Sequence, residues 1–404
     1  MKKLLLIVFS SNFFYCANQS REVLPHEIEY TTSHTESHQT NEWTLKDFYS
    51  QNKKLQHLTD SIYIYLNMPE RAAQMIMTAT GEYEGIGYPY KYVEKLYQDK
   101  IIGGVLFLKG SQSGFSRETR NLVKISVEQK LFPLVFSCDC EPTLFHKKII
   151  GVAPVTPADR LTSDKAVEKT AIGISTQMRQ IGIHWNFAPV ADISTNKAII
   201  NTRSFGSDND KVVARSVSFV RSSANLNIVT SIKHFPGHGA VKGDSHKKLV
   251  YIDSSLTEIN NFSNIIKKGN PISVMVGHIA IRNNRAYGTS GMPATLSDKV
   301  IRKLLIDSLG FRGIIITDAM NMGAVKEIPG ADLKAVLAGN DIILYPNNAR
   351  ALHADLVRIL RTNGEKSDRL TYSIKKIIRL KICLPSTHWP STLAPSTSTS
   401  IPAT

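Results

Sequence analysis

Eight apolar runs, separated by amphipathic stretches of helical length, constrain the fold of this chain more than any other feature of its sequence. They are Ala73–Met77, Ile102–Leu108, Phe132–Phe136, Ile183–Ala188, Ile228–Ile232, Ile272–Val276, Gly313–Ile316 and Asp341–Leu344. These runs show little in-out alternation, so each reads as a strand covered on both faces, which is the condition of a parallel sheet wrapped by helices. Eight strand-helix units predict an α/β fold closed into a (β/α)8 barrel of the TIM type, as one domain over residues 55–384. The competing architecture, a doubly wound open sheet, usually carries a glycine-rich phosphate turn after its first strand, and Thr80-Gly81-Glu82 is not one. A chain of 404 residues with 42% hydrophobic residues can bury a core of barrel size.

In such a barrel the chemistry gathers at the carboxyl ends of the strands. This chain places polar residues there repeatedly. Asp139 follows the third run, Asn186 and Asp192 lie at or beyond the fourth, Lys233 and His234 end the fifth, His278 ends the sixth and Asp318 ends the seventh.

The densest such stretch is Lys233-His234-Phe235-Pro236-Gly237-His238-Gly239, followed shortly by Asp244-Ser245-His246. The Pro-Gly pair stops the strand, and the glycines permit a sharp turn directly behind it. This segment resembles the signature of glycoside hydrolase family 3, in particular its single-domain bacterial β-N-acetylhexosaminidase branch, and the resemblance runs from roughly Pro69 to Leu384. It implies a retaining exo-β-N-acetylglucosaminidase that needs no cofactor and no metal. The implied substrates are carbohydrates ending in N-acetylglucosamine, either cell-wall fragments or chitooligosaccharides, cleaved through a covalent glycosyl-enzyme.

Retention requires a carboxylate below the anomeric carbon and a proton donor beside the leaving oxygen. The resemblance makes Asp318, in Gly313-Ile314-Ile315-Ile316-Thr317-Asp318-Ala319-Met320, the nucleophile. It makes His246 the general acid/base and Asp244 the residue that orients His246. An imidazole suits the task because it titrates near neutrality and can give a proton and then take one. By the same resemblance Lys233, His234, Arg203 and Asp139 hold the sugar.

Taken alone, these residues admit plainer roles. An aspartate after a strand can cap the next helix, a loop histidine can be solvated, and a strand-end Lys or Arg can sit in a structural ion pair. Three other functions also fit: a phosphorylase using the same site, a metal-dependent hydrolase built on His234, His238, Asp244 and His246, and a surface glycan-binding protein without turnover. The metal reading lacks a recognised ligand spacing. One departure from the family pattern is local: Asp139 leads into Cys140-Glu141-Pro142-Thr143 where the family has a Glu-Gly-Gly stretch and an arginine. Lys147 or Lys148 can replace the arginine's charge but not its bidentate geometry.

The ends of the chain carry separate signals. Lys2 and Lys3, an apolar run Leu4–Phe9 and a border of small residues describe an export signal over residues 1–16, which places the protein in the periplasm or at the cell surface. Cys16-Ala17-Asn18 resembles the lipidated cysteine of bacterial lipoproteins, which would attach the protein to a membrane, although Tyr15 stands where a small residue is expected. Residues 17–54 read as a polar linker, and 385–404 as a Ser/Thr/Pro-rich disordered tail. The net charge of +15 would suit a polyanion. No Lys/Arg run or RNA-binding signature accompanies it, so a nucleic-acid partner is not expected. Cys138 and Cys140 read as small buried residues, Cys383 alone is a poor further metal ligand, and no disulfide framework is implied.

Overall fold

The computed structural model describes residues 43–384 apart from residue 198. The export signal, Cys16, most of the predicted linker and the Ser/Thr/Pro-rich tail lie outside the described residues. Each of the eight apolar runs overlaps a strand: β1 Ile76–Thr80, β2 Gly104–Phe107, β3 Val135–Cys138, β4 Trp185–Asn186, β5 Val229–Phe235, β6 Ser273–Val276, β7 Ile314–Thr317 and β8 Ile343–Leu344. They pair in parallel in sequence order from β1 through β7, and β8 pairs with β1. Closure comes from a parallel bridge between Ile316 and Ile342, backed by the Thr317 amide donating to the Ile342 carbonyl at 3.1 Å.

Local sequence sets the element boundaries. Ser163 caps the helix Asp164–Ile181 by accepting from the Ala166 amide, and Gly182 ends it in a left-handed conformation at φ +88° that other residues adopt at a cost. Asp208 does the same for the helix Asn209–Ala224, accepting from the amides of Asp210 and Lys211. Side-chain alternation along β5 then decides what faces the barrel interior. Ser231 points inward, taking a hydrogen bond from the Trp185 indole at 2.8 Å and bonding to the Ser273 hydroxyl at 2.9 Å. Two residues on, Lys233 shares that direction, while Ile232 packs outward with Val274, Phe262 and Ile265.

The amino-terminal floor of the barrel is closed by the last helix, Glu365–Ile382. Its fully buried Lys381 donates to the Gly103 carbonyl at 2.9 Å, to the Pro133 carbonyl at 2.6 Å and to Gln74 Oε1, joining the entrances to β1, β2 and β3. Burial pushes this amine well below the ordinary lysine range.

The predicted linker 17–54 is corrected in its last part. Trp43, Leu45 and Phe48 are buried in the main core, and Arg379 of the last helix donates to the backbone carbonyls of Asp47, Phe48 and Ser50. Three apolar residues in a polar stretch show no periodicity, so only the tertiary contact reveals them. Cys138, Cys140 and Cys383 are free and buried. Among the described residues no helix is long and apolar enough to cross a membrane.

Candidate active site

The mouth of the barrel holds two charged clusters. The first is an ion lattice across the ends of β3 and β5. Lys233, 2% exposed, donates to Asp139 Oδ1 at 2.7 Å and lies 2.6 Å from Glu141 Oε1. Arg203, from the loop after β4, grips Glu141 with a two-point fork, Nε to Oε2 at 2.8 Å and Nη2 to Oε1 at 2.6 Å. Burial works against every charge here, yet the opposite charges win. Arg203 and Lys233 hold the Glu141 carboxyl well below its usual range, and Lys233 with Lys148 does the same for Asp139. Against the same burial, Asp139 and Glu141 raise the Lys233 amine. Thus Asp139, Arg203 and Lys233 do converge, and the group that joins them is Glu141, to which the sequence reading gave no role. Its signal was its place two residues beyond Asp139.

The second cluster surrounds the turn after β5. His234 donates its backbone N–H to Asp192 Oδ2 at 3.0 Å, and its Nδ1 lies 2.6 Å from the same oxygen. The His238 amide donates to Asp192 Oδ1 at 2.7 Å. Burial would raise the Asp192 carboxyl, but His234 and His238 hold it down. Burial, helped by His234, lowers His238 to about 4, so its ring is neutral at physiological pH. With Asn196 Nδ2 at 3.1 Å from its Nδ1 acting as donor, Nε2 carries the proton and donates to Ser245 Oγ at 3.0 Å. Both ring nitrogens of His238 are therefore engaged by protein. Among the described residues no group of three or more His, Cys, Asp or Glu is placed to hold a metal.

Ser245 stands between Asp244 and His246. His246 is 58% exposed on its side chain, and its Nδ1 lies 2.8 Å from Asp244 Oδ1, which also accepts the His246 amide at 2.9 Å. Burial acts to raise the Asp244 carboxyl, but these hydrogen bonds outweigh it and keep the group ionised through neutrality. This loop rests on the chain that follows β7, because the Gly323 amide donates to the His246 carbonyl at 2.9 Å. A side chain at Gly323 would meet the carbonyls of Lys247 and His246 at 2.5 and 2.8 Å, so glycine is what allows that approach.

Asp318 opens that same chain at the end of β7, half-buried, with its amide bonded to the Val276 carbonyl of β6 at 2.9 Å. Its Oδ1 accepts only the adjacent Ala319 amide at 2.8 Å among the protein hydrogen bonds found. Burial would raise its carboxyl, but His234 and His278 hold it ionised. His278 braces the turn, with Nε2 at 3.0 Å from the Ala319 carbonyl and Nδ1 at 2.9 Å from the Thr295 hydroxyl. An ionised, weakly engaged carboxylate therefore shares the barrel mouth with an exposed Asp-His pair.

Residues 67–380 match the glycosyl hydrolase family 3 N-terminal domain. The chain belongs to this family. The curated β-hexosaminidase A of Pseudoalteromonas piscicida is 31% identical over 255 residues, which are 57% of this chain and 43% of that protein. A β-hexosaminidase of Actinobacillus pleuropneumoniae is 28% identical over 271 residues, 63% of this chain and 76% of its own length. Among solved structures, a glycoside hydrolase family 3 β-N-acetylglucosaminidase from Paenibacillus sp. str. FPU-7 superposes with a TM-score of 0.71 at 25% identity, covering 83% of this chain and 65% of that one. The chain thus spans less than half the length of the first of these relatives.

Proposed function

We propose that this chain is a retaining exo-β-N-acetylglucosaminidase acting on glycans that end in N-acetylglucosamine. The observation that carries this reading is the Asp244-His246 pair, held against the segment that begins with Asp318 by the hydrogen bond from Gly323 to His246. The names of the relatives, β-hexosaminidases and a β-N-acetylglucosaminidase, support the choice of sugar. In the first step the Asp318 carboxylate attacks the anomeric carbon while the C–O bond to the leaving group breaks, and His246 gives its proton to the departing oxygen. In the second, His246 takes a proton from water as that water displaces Asp318, which restores both groups. Asp244 accepts from the His246 Nδ1–H, which leaves Nε2 as the nitrogen that exchanges the proton. Lys233, His234, Arg203 and Asp139 would bind the ring hydroxyls, with Glu141 fixing the two cations among them. Export, with Cys16 as a membrane anchor or the protein free, belongs to this proposal on the strength of residues 1–16 alone.

The test is hydrolysis of nitrophenyl β-N-acetylglucosaminide beside the β-glucoside, with the first-formed sugar anomer followed by NMR. Turnover of the acetylated sugar with β product is expected. The α anomer would sink the retaining mechanism, and a glycosyl phosphate formed on adding inorganic phosphate would sink hydrolysis. Asp244→Asn should lower kcat/KM on the order of 10^2 to 10^4-fold, since an amide can present N–H to Nδ1 and favour the other tautomer. The loss should shrink for activated leaving groups that need no proton. An equal loss for all leaving groups would remove Asp244 from this role.

A further inference from the structure

Glu258 lies outside every motif in the chain, yet it is 2% exposed and makes more hydrogen bonds to the barrel mouth than any candidate catalytic side chain. Its Oε1 accepts the amides of Gly239 and Ala240 at 2.9 and 3.0 Å, and its Oε2 accepts the Ile193 amide at 2.8 Å. Those donors belong to the loops after β4 and β5, while Glu258 itself sits just ahead of the helix Ile259–Gly269. The two glycines of the Pro236-Gly237-His238-Gly239 turn are shaped to this carboxylate. A Cβ on Gly237 would meet Glu258 Cβ at 2.7 Å, and one on Gly239 would meet Glu258 Oε2 at 2.7 Å and the Ile193 carbonyl at 2.2 Å. Burial and the Asp192 carboxylate push the Glu258 carboxyl up to about 8, outweighing the three N–H bonds, which favour the ionised form.

From Glu258 the contacts continue to the Asp-His pair without a gap. Gly239 and Ala240 follow His238, whose Nε2–H donates to Ser245, and Ser245 is flanked by Asp244 and His246. Asn196, from the loop held by the Ile193 amide, donates to the Gly243 carbonyl at 3.1 Å on the same path. We propose that Glu258 is a positioning residue that sets the placement of the loop bearing Asp244 and His246 by holding the Ile193, Gly239 and Ala240 amides. Asp318, just beyond the end of β7, is hydrogen-bonded to Ala319 and Val276 and not to Glu258, so the effect is directed at proton donation rather than at nucleophilic attack. This rests on the function proposed above.

Glu258→Gln separates the two. Its amide must turn N–H toward at least one of the three backbone donors, loosening the loop at constant volume. With an aryl N-acetylglucosaminide of poor leaving group, kcat/KM should fall about 10- to 100-fold, and with the dinitrophenyl glycoside by less than about 3-fold. Glu258→Asp, which keeps the carboxyl group but shortens the reach, should fall between wild type and Gln and serves if the Gln variant does not fold. Parallel losses on the two substrates, or none on either, would overturn the proposal. A second readout does not depend on turnover: the His246 ring resonances, assigned with His246→Gln, should move in the Glu258 variants. If wild type cleaves neither glycoside the function fails, while an unmoved His246 signal would defeat the positioning role alone.

Discussion

Asp318→Ala is expected to lose turnover of nitrophenyl β-N-acetylglucosaminide on the order of 10^4-fold or more, with the fold intact. Among the described residues of the barrel mouth the other carboxylates are engaged: Asp139 and Glu141 are tied to Lys233 and Arg203, Asp192 accepts from His234 and His238, and Asp244 accepts from His246. The substitution also leaves a small void where the carboxylate stood, which a small anion can enter. Azide should therefore restore part of the rate with the activated substrate, and the product should be the α-glycosyl azide, because attack comes from the face Asp318 occupied. Retained activity, or a β azide, would mean that Asp318 is not the nucleophile. The Asp318 amide bond to Val276 is made by backbone and survives the change, so thermal stability should stay close to wild type.

The second large effect concerns stability. Glu141→Gln removes the charge that both Arg203 and Lys233 face, leaving Lys233 with Asp139 and Arg203 without the carboxylate it grips. Breaking a buried pair in this way costs about 3–5 kcal/mol, which for a domain of this size is roughly 4–7 °C in Tm. The sign with pH follows from the depressed carboxyl. The stabilisation from Glu141 is fully present above its ordinary value of 4.5 and disappears only as pH falls below it toward the lower folded value. Wild type and variant should accordingly differ most near neutrality and converge in acid. A Tm change under about 2 °C at pH 7 would show that the lattice contributes little net stability.

The barrel was legible because its strands are buried on both faces, which writes each one as an unbroken apolar run. Boundaries were less so. The first run, Ala73–Met77, overlaps a strand that starts three residues later at Ile76, because Ala72 and Ala73 close the helix Met68–Ala73. The polar strand ends were legible for a related reason: at the end of an apolar run a Lys, His or Asp stands out, as Lys233 and Asp318 do. Glu258 and the Trp43–Phe48 segment left no such mark. Glu258 meets residues 18, 19 and 65 positions away, and Trp43–Phe48 meets a helix at the far end of the fold. Neither relation has a period or a spacing, so both belong to packing and not to pattern. Glu141 stood in plain view and was missed for another reason, that an acidic residue beside Asp139 looks like a second surface charge until Arg203 is folded onto it.

The clasp between Arg379 and the carbonyl of Phe48 joins residues 331 positions apart. On a ribosome, chain emerges at roughly 5–20 residues per second, so Trp43, Leu45 and Phe48 would wait about 20–70 s for the helix that covers them. The strand that closes the barrel, β8, emerges only shortly before that helix. During this interval the nascent chain exposes apolar side chains and an unpaired β1 edge, the surfaces that holding chaperones bind. Synthesis of this protein should therefore depend on chaperone supply, and slowing translation should lengthen the exposed interval rather than help the chain to fold.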